Sequence, residues 1–154
     1  MSCLFCRIAA RELPSAELYE DKQVFAFLDI NPLRPGHALI VPKRHAARLA
    51  DATPEDAGAL LQAARTLGPV LCGLVNADDA TLAIHDGPDA GQEVAHLHLH
   101  LIPRTPSDGG GPIHNLFATR PRPSPEDLND LAMNVQTELG KLGKAATPLK
   151  TGGR

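Results

Sequence analysis

In the segment His96-Leu97-His98-Leu99-His100-Leu101-Ile102, imidazole and aliphatic side chains alternate from His96 to Leu101. In an extended chain, residues two apart share a face and recur about every 6.5–7 Å. His96, His98 and His100 then line one surface, while Leu97, Leu99 and Leu101 line the other and face a core. On a helix the same spacing fans the imidazoles around more than half the circumference. A strand is the regular structure that yields one histidine cluster and one apolar face together.

The rest of the chain supplies a framework for that strand. At 154 residues it reads as one domain, long enough to bury a core. A net charge of -3 gives no broad basic surface, so no nucleic acid polymer is expected as a partner. No apolar run reaches membrane-spanning length, and Met1-Ser2-Cys3-Leu4-Phe5-Cys6 lacks a basic region followed by an apolar one. No membrane partner and a cytoplasmic location are therefore expected. The odd cysteine count (Cys3, Cys6, Cys72) argues against a secreted disulfide framework.

Three stretches read as helix. The first carries Leu4, Phe5, Ile8 and Ala9 on one side and ends before Pro14. The second starts at Thr53 as N-cap with Pro54 behind it, and carries Ala57, Leu60, Leu61, Ala64, Leu67, Leu71 and Leu74. Gly68-Pro69 is expected to kink it or end it early. The third repeats the start signal at Ser124-Pro125-Glu126-Asp127. Five stretches read as strand: 17–20, 24–29, 37–41, 81–86 and 95–103, with 81–86 and 95–103 joined as a long hairpin. Hairpins rather than strand–helix–strand crossovers predict an α+β domain with an antiparallel sheet. Residues 105–123 are rich in Gly and Pro and read as a surface connection, and 147–154 as a frayed tail.

A neutral imidazole is a competent nucleophile near pH 7. Attack on phosphorus would split one difficult displacement into two easier ones. Neighbouring histidines can then donate to phosphoryl oxygens as charge redistributes. Gly87, Gly91 and Gln92, just ahead of the histidines, suit a loop whose N–H groups approach a phosphate. A metal site competes with this reading: two strand histidines plus His37, His45 or His85 would make a catalytic zinc arrangement. Residue chemistry alone leaves both open. Cys3 and Cys6 form a Cys-x-x-Cys pair, compatible with zinc or with two reduced thiols at a helix start.

The segment Asp86-Gly-Pro-Asp-Ala-Gly-Gln-Glu-Val-Ala-His-Leu-His-Leu-His-Leu-Ile-Pro-Arg104 resembles the signature of the histidine triad (HIT) superfamily. So do Phe25-Ala-Phe-Leu-Asp-Ile-Asn-Pro, Pro35-Gly-His-Ala-Leu-Ile-Val-Pro-Lys-Arg-His45 and Cys3-Leu-Phe-Cys-Arg-Ile8. The similarity runs in order through about the first two-thirds of the chain. It is closest to the bacterial Hint-like branch, with some Fhit-like loop features. The resemblance implies a HIT domain core over 1–104, and the third helix, read over 124–146, is expected to pack on the same domain. It also implies one long and two shorter helices on a five-stranded antiparallel sheet, and a homodimer whose sheets join into one of ten strands.

For function, the resemblance implies a hydrolase or transferase that cleaves at the α-phosphate of a purine nucleotide conjugate, like a nucleoside phosphoramidase. The alternatives are a dinucleotide polyphosphate (Ap3A/Ap4A-type) hydrolase, or a nucleotide-binding regulator with residual catalysis. His98 maps to the nucleophile and His100 to the group assisting the leaving atom, while His96 and His37 would orient the nucleophile. Phe5, Ile8, Phe27 and Ile30 would enclose the base, Asp29 would accept from the ribose, and Gly91 and Gln92 would meet the phosphate. Some similar HIT members bind structural zinc at positions that map to Cys3, Cys6, His45 and His96. Two positions depart from the family pattern. His85 stands where Asn or Gln is usual near the phosphate, and Glu93 where a Ser or Thr hydroxyl is usual. An ionised carboxylate cannot donate and repels a phosphate, so Glu93 is expected to slow simple phosphoramidates or to select a leaving group bearing an amine.

Overall fold

The computed structural model describes residues 3–116, 118–119 and 121–143. The expected tail, and the last residues assigned to the C-terminal helix, lie outside the described residues. The chain divides into two units after Gly109.

In the first unit, the strands β1 (Glu17–Glu20), β2 (Val24–Leu28), β3 (Ala38–Pro42), β4 (Asp79–Ala83) and β5 (Leu99–Arg104) form a single sheet. The spatial order is β1-β2-β3-β5-β4, and every pairing is antiparallel. The sheet is covered on both faces, which is why β2 and β3 read as nearly continuous apolar runs rather than alternating ones. Helix α2 (Pro54–Leu74) lays Leu60, Ala63, Ala64, Leu67 and Leu71 on Val24, Ala26, Ile40, Leu97, Leu99 and Leu101. Helix α1 (Leu4–Ala9) packs Phe5 and Ile8 on Phe25, Phe27, Leu39 and Val41, which belong to the opposite face. The leucines between the histidines thus go under α2, and the imidazoles share the α1 side.

Helix α2 starts where its signals place it: the Thr53 hydroxyl accepts from the Asp56 N–H at 3.1 Å. It does not end at Gly68-Pro69. A proline inside a helix costs about 3 kcal/mol, but stopping there would expose Leu71 and Cys72, which are buried beyond it. Burying such side chains contributes about 2 kcal/mol each and offsets the lost backbone bond. Leu61 and Leu74, by contrast, point to solvent.

Two strands differ from the sequence reading by more than one residue. β4 begins at Asp79 and finishes at Ala83, and β5 begins only at Leu99. With no β4 partner beyond Ala83, which faces His100, the segment carrying His96 and His98 precedes the ladder. The His96 N–H turns back to the Val94 carbonyl at 2.8 Å, and the Leu97 N–H bonds the Ala46 carbonyl at 2.7 Å.

In the second unit, α3 (Pro125–Lys141) opens with a capping box. The Ser124 hydroxyl accepts from the Asp127 N–H, and the Asp127 carboxylate accepts from the Ser124 N–H. Among the described residues no helix is long and apolar enough to cross a membrane.

Candidate active site and metal-ligand cluster

The histidines divide between two places. His96 turns toward α1, where its Nδ1 lies 3.2 Å from Cys3 Sγ, 3.5 Å from Cys6 Sγ and 3.3 Å from His45 Nδ1. Cys6 Sγ and His45 Nδ1 are 3.5 Å apart. A tetrahedral site with metal–sulfur bonds of about 2.3 Å and metal–nitrogen bonds of about 2.0–2.1 Å has edges of about 3.3–3.8 Å. Four of the six separations between the donor atoms are 3.2–3.5 Å, and all lie within 4.8 Å, close to that size. The tautomer of His96 fits as well. Its Nε2 lies 2.8 Å from the Pro42 carbonyl, which can only accept, so Nε2 carries the hydrogen and Nδ1 offers a lone pair. Burial and the neighbouring Cys3 thiol push the Cys6 thiol up to about 11.

His98 and His100 face a cavity of about 550 Å³ between α1 and the sheet, within the range that holds a small ligand. His98 Nδ1 lies 2.7 Å from the main-chain carbonyl of His96. Nδ1 must therefore donate, which leaves Nε2 with the lone pair. The order of bonds at His100 runs the other way. The Leu33 N–H donates to His37 Nδ1 at 3.2 Å, so His37 Nε2 carries the hydrogen and donates to His100 Nδ1 at 2.9 Å. Neutral His100 then holds its proton on Nε2, which is buried and has no hydrogen-bond partner. The cavity wall thus presents a lone pair at His98 and an N–H at His100, with ring centroids 4.9 Å apart.

Burial pushes His37 below the usual histidine value, against the pull of Asp29. Burial, with the neighbouring His98, His37 and His85, pushes His100 down to about 4. Because these folded values lie below the unfolded one, the unfolded chain takes up protons first as the pH falls. Stability is unaffected by either ring above about pH 6.5; the His100 contribution is lost between there and about 4, and His37 acts in the same direction. The expected result is a melting temperature that drops across that window. In NMR titrations the His100 ring resonances should move near pH 4; movement near 6.5 would contradict the assignment.

The apolar wall is made of Phe5, Ile8 and Phe27. Phe5 meets the His98 ring edge-on at 5.2 Å. Ile30 also borders the cavity, but it is 88% exposed and stands at its rim. Asp29 lies in the wall and accepts the Asn31 N–H at 2.8 Å. His85, Gly91 and Glu93 also line the cavity, and the His85 and His100 ring centroids lie 5.2 Å apart. Gly91 holds φ +93, where a side chain is strained, and a Cβ there would meet His85 Nδ1 at 3.5 Å.

Three expectations need correction. Gln92 does not line the cavity. Its Oε1 accepts from the Gly87 N–H at 3.0 Å, and its Nε2 donates to the Ala47 carbonyl at 2.8 Å. The amide braces the loop from inside because buried backbone groups there need partners. His37 bonds His100 rather than the nucleophile, and it is the carbonyl of His96, not its ring, that orients His98. Arg104 grips both oxygens of Asp108 at 2.6 and 2.8 Å and fastens the turn after β5. The main-chain participants, Leu33 N–H and the His96 and Pro42 carbonyls, carry no side-chain signature and were not anticipated.

The HIT domain family model matches residues 10–107. The adenosine 5'-monophosphoramidase HNT1 of Saccharomyces cerevisiae is 40% identical over 109 residues, 71% of this chain and 66% of that protein. A crystal structure of a HIT family member from Bacillus subtilis shares 31% identity and a TM-score of 0.80, covering 96% of this chain and all of that one. A zinc-bound histidine triad family protein from Mycobacterium smegmatis shares 32% identity and a TM-score of 0.66, over 92% of this chain and 98% of that one.

Proposed function

This chain belongs to the HIT family, and from that premise we propose that it hydrolyses purine nucleotide conjugates at the α-phosphate through a nucleotidyl-His98 intermediate. The carrying observation is the opposed tautomers of His98 and His100. His98 Nε2 attacks the α-phosphorus. A P–N bond forms, and the bond to the leaving atom breaks with its electron pair going to that atom. The His100 Nε2–H hydrogen-bonds the departing atom or a phosphoryl oxygen, and the His98 Nδ1–H holds the His96 carbonyl more strongly as the ring gains positive charge. Water then attacks the intermediate. A P–O bond forms, the P–N bond breaks with its electron pair returning to His98 Nε2, and the proton the water releases balances the one the leaving atom took up as the nucleoside monophosphate departs. The similarity to a yeast monophosphoramidase supports the substrate class. Mass spectrometry of protein quenched during turnover tests the step; no adduct on His98 with an active enzyme would refute it.

Asp29 serves as ribose acceptor, Gly91 gives main-chain access to the phosphate, and His85 and Glu93 flank the leaving group. Glu93→Ser removes a like charge from the cavity and is expected to raise kcat/KM about tenfold on a dinucleotide polyphosphate. The gain on an adenylyl-lysine-like substrate, whose amine the carboxylate attracts, should be smaller or reversed. Equal rates for both enzymes on both substrates would dispose of the role.

Cys3, Cys6, His45 and His96 would hold structural zinc. The ion would supply no step of the reaction; it ties α1, and with it Phe5, to the segment carrying His98. The protein is also a homodimer through the outer edge of β4, which has no neighbouring strand among the described residues. Leu82 on β4 and Leu61, Val70 and Leu74 on α2 expose apolar surface. A sedimentation mass of one 16.3 kDa chain would count against it.

A further inference from the structure

Among the described residues, two buried side-chain polar atoms lack any hydrogen-bond partner: His100 Nε2 and Ser15 Oγ. Both belong to side chains that line the same cavity. A buried hydroxyl without a partner is costly, so each such atom in a folded protein asks for an explanation. His100 Nε2 has one in the phosphoryl chemistry. Ser15 has none, because it lies in neither the catalytic cluster nor the metal-ligand cluster.

Its position supplies the explanation. The Leu28 N–H bonds the Ala16 carbonyl at 2.9 Å, and Glu17 faces Phe27 in the ladder. The same register carried two residues further sets Ser15 beside Asp29, the ribose acceptor of the proposed site. Leu13 and Pro14 precede it in the cavity wall, and Leu13 packs against the cluster of Phe5, Ile8 and Phe27. A planar base held between such walls satisfies its faces by apolar contact and leaves its polar edge without water.

We infer that Ser15 is a specificity-determining residue that hydrogen-bonds the polar edge of the nucleobase, the far end of the ligand whose phosphate meets His98 and His100. The inference rests on the nucleotide reading of the cavity and extends it to how the base is told apart from no base. A serine hydroxyl both donates and accepts, so it suits either an exocyclic amine or a ring nitrogen.

The test compares Ser15→Ala with wild type by calorimetric titration with AMP, GMP and ribose 5-phosphate. Loss of one neutral hydrogen bond in a dry pocket should weaken the better-bound purine nucleotide about five- to twentyfold. The Kd for ribose 5-phosphate, which has no base, should not move. An unchanged Kd for both nucleotides overturns the inference, and so does an equal loss on ribose 5-phosphate, which would place the hydroxyl on the sugar. In either case wild-type nucleotide binding leaves the reading of the site standing. A wild type that binds neither nucleotide overturns that reading and this inference together.

Discussion

His98→Ala is expected to lower kcat on an adenosine phosphoramidate by about a thousandfold or more, while the Kd for AMP changes less than about threefold. The asymmetry follows from geometry. The ring contributes its lone pair to a bond that exists only along the reaction path, whereas ground-state binding is spread over Phe5, Ile8, Phe27, Asp29 and the rest of the cavity wall. His98→Gln provides a second reading with less lost volume. Its amide can still donate to the His96 carbonyl but cannot act as the nucleophile, so it should match the alanine variant in kcat. Residual turnover above about a tenth of wild type in either variant would show that another group attacks phosphorus. A parallel collapse of kcat and AMP affinity would point to a distorted cavity instead.

The second large effect concerns the cluster of Cys3, Cys6, His45 and His96. Replacing both cysteines with serine is expected to abolish stoichiometric zinc and to lower the melting temperature by about 10 °C, the shift that about 3 kcal/mol produces in a domain of this size. Elemental analysis of protein purified under reducing conditions without chelator checks the first part, and calorimetry the second. The site is made by three elements distant in sequence: α1, the chain just after β3, and the segment before β5. Its loss should therefore loosen the whole α1 side, including Phe5 and Ile8, and weaken nucleotide affinity as well. Wild-type protein that carries no metal and melts with the cysteine variant would refute the assignment.

The alternation at 96–102 made the two faces legible, because successive side chains of an extended chain point to opposite sides as a local property, and α2 covers one side and α1 the other. Thr53-Pro54 and Ser124-Pro125 likewise gave the starts of α2 and α3, since a cap acts on groups within three residues of itself. The beginning of β5 was not legible. It depends on where β4 leaves the ladder, after Ala83, a pairing nearly twenty residues away. Helix α2 overrode Pro69 because burial beyond it outweighed a local preference. Gln92 carries an amide that suits a phosphate and a loop carbonyl equally, and only the positions of Gly87 and Ala47 decide between them. The resemblance brought His37 and His98 to the site, but not the direction of their hydrogen bonds. That direction is set by the Leu33 N–H and the His96 carbonyl, groups every residue type possesses.

His96 is fastened at three atoms: Nδ1 among the sulfurs and His45, Nε2 on the Pro42 carbonyl, and its own carbonyl under the His98 ring. One position thereby serves both as anchor and as hinge-pin for the attacking imidazole. An exchange there cannot separate lost anchorage from a misdirected attack, so its kinetics would be uninterpretable by themselves. The clean dissection runs through Cys3 and Cys6, which loosen the anchor while leaving the hinge-pin's main chain untouched.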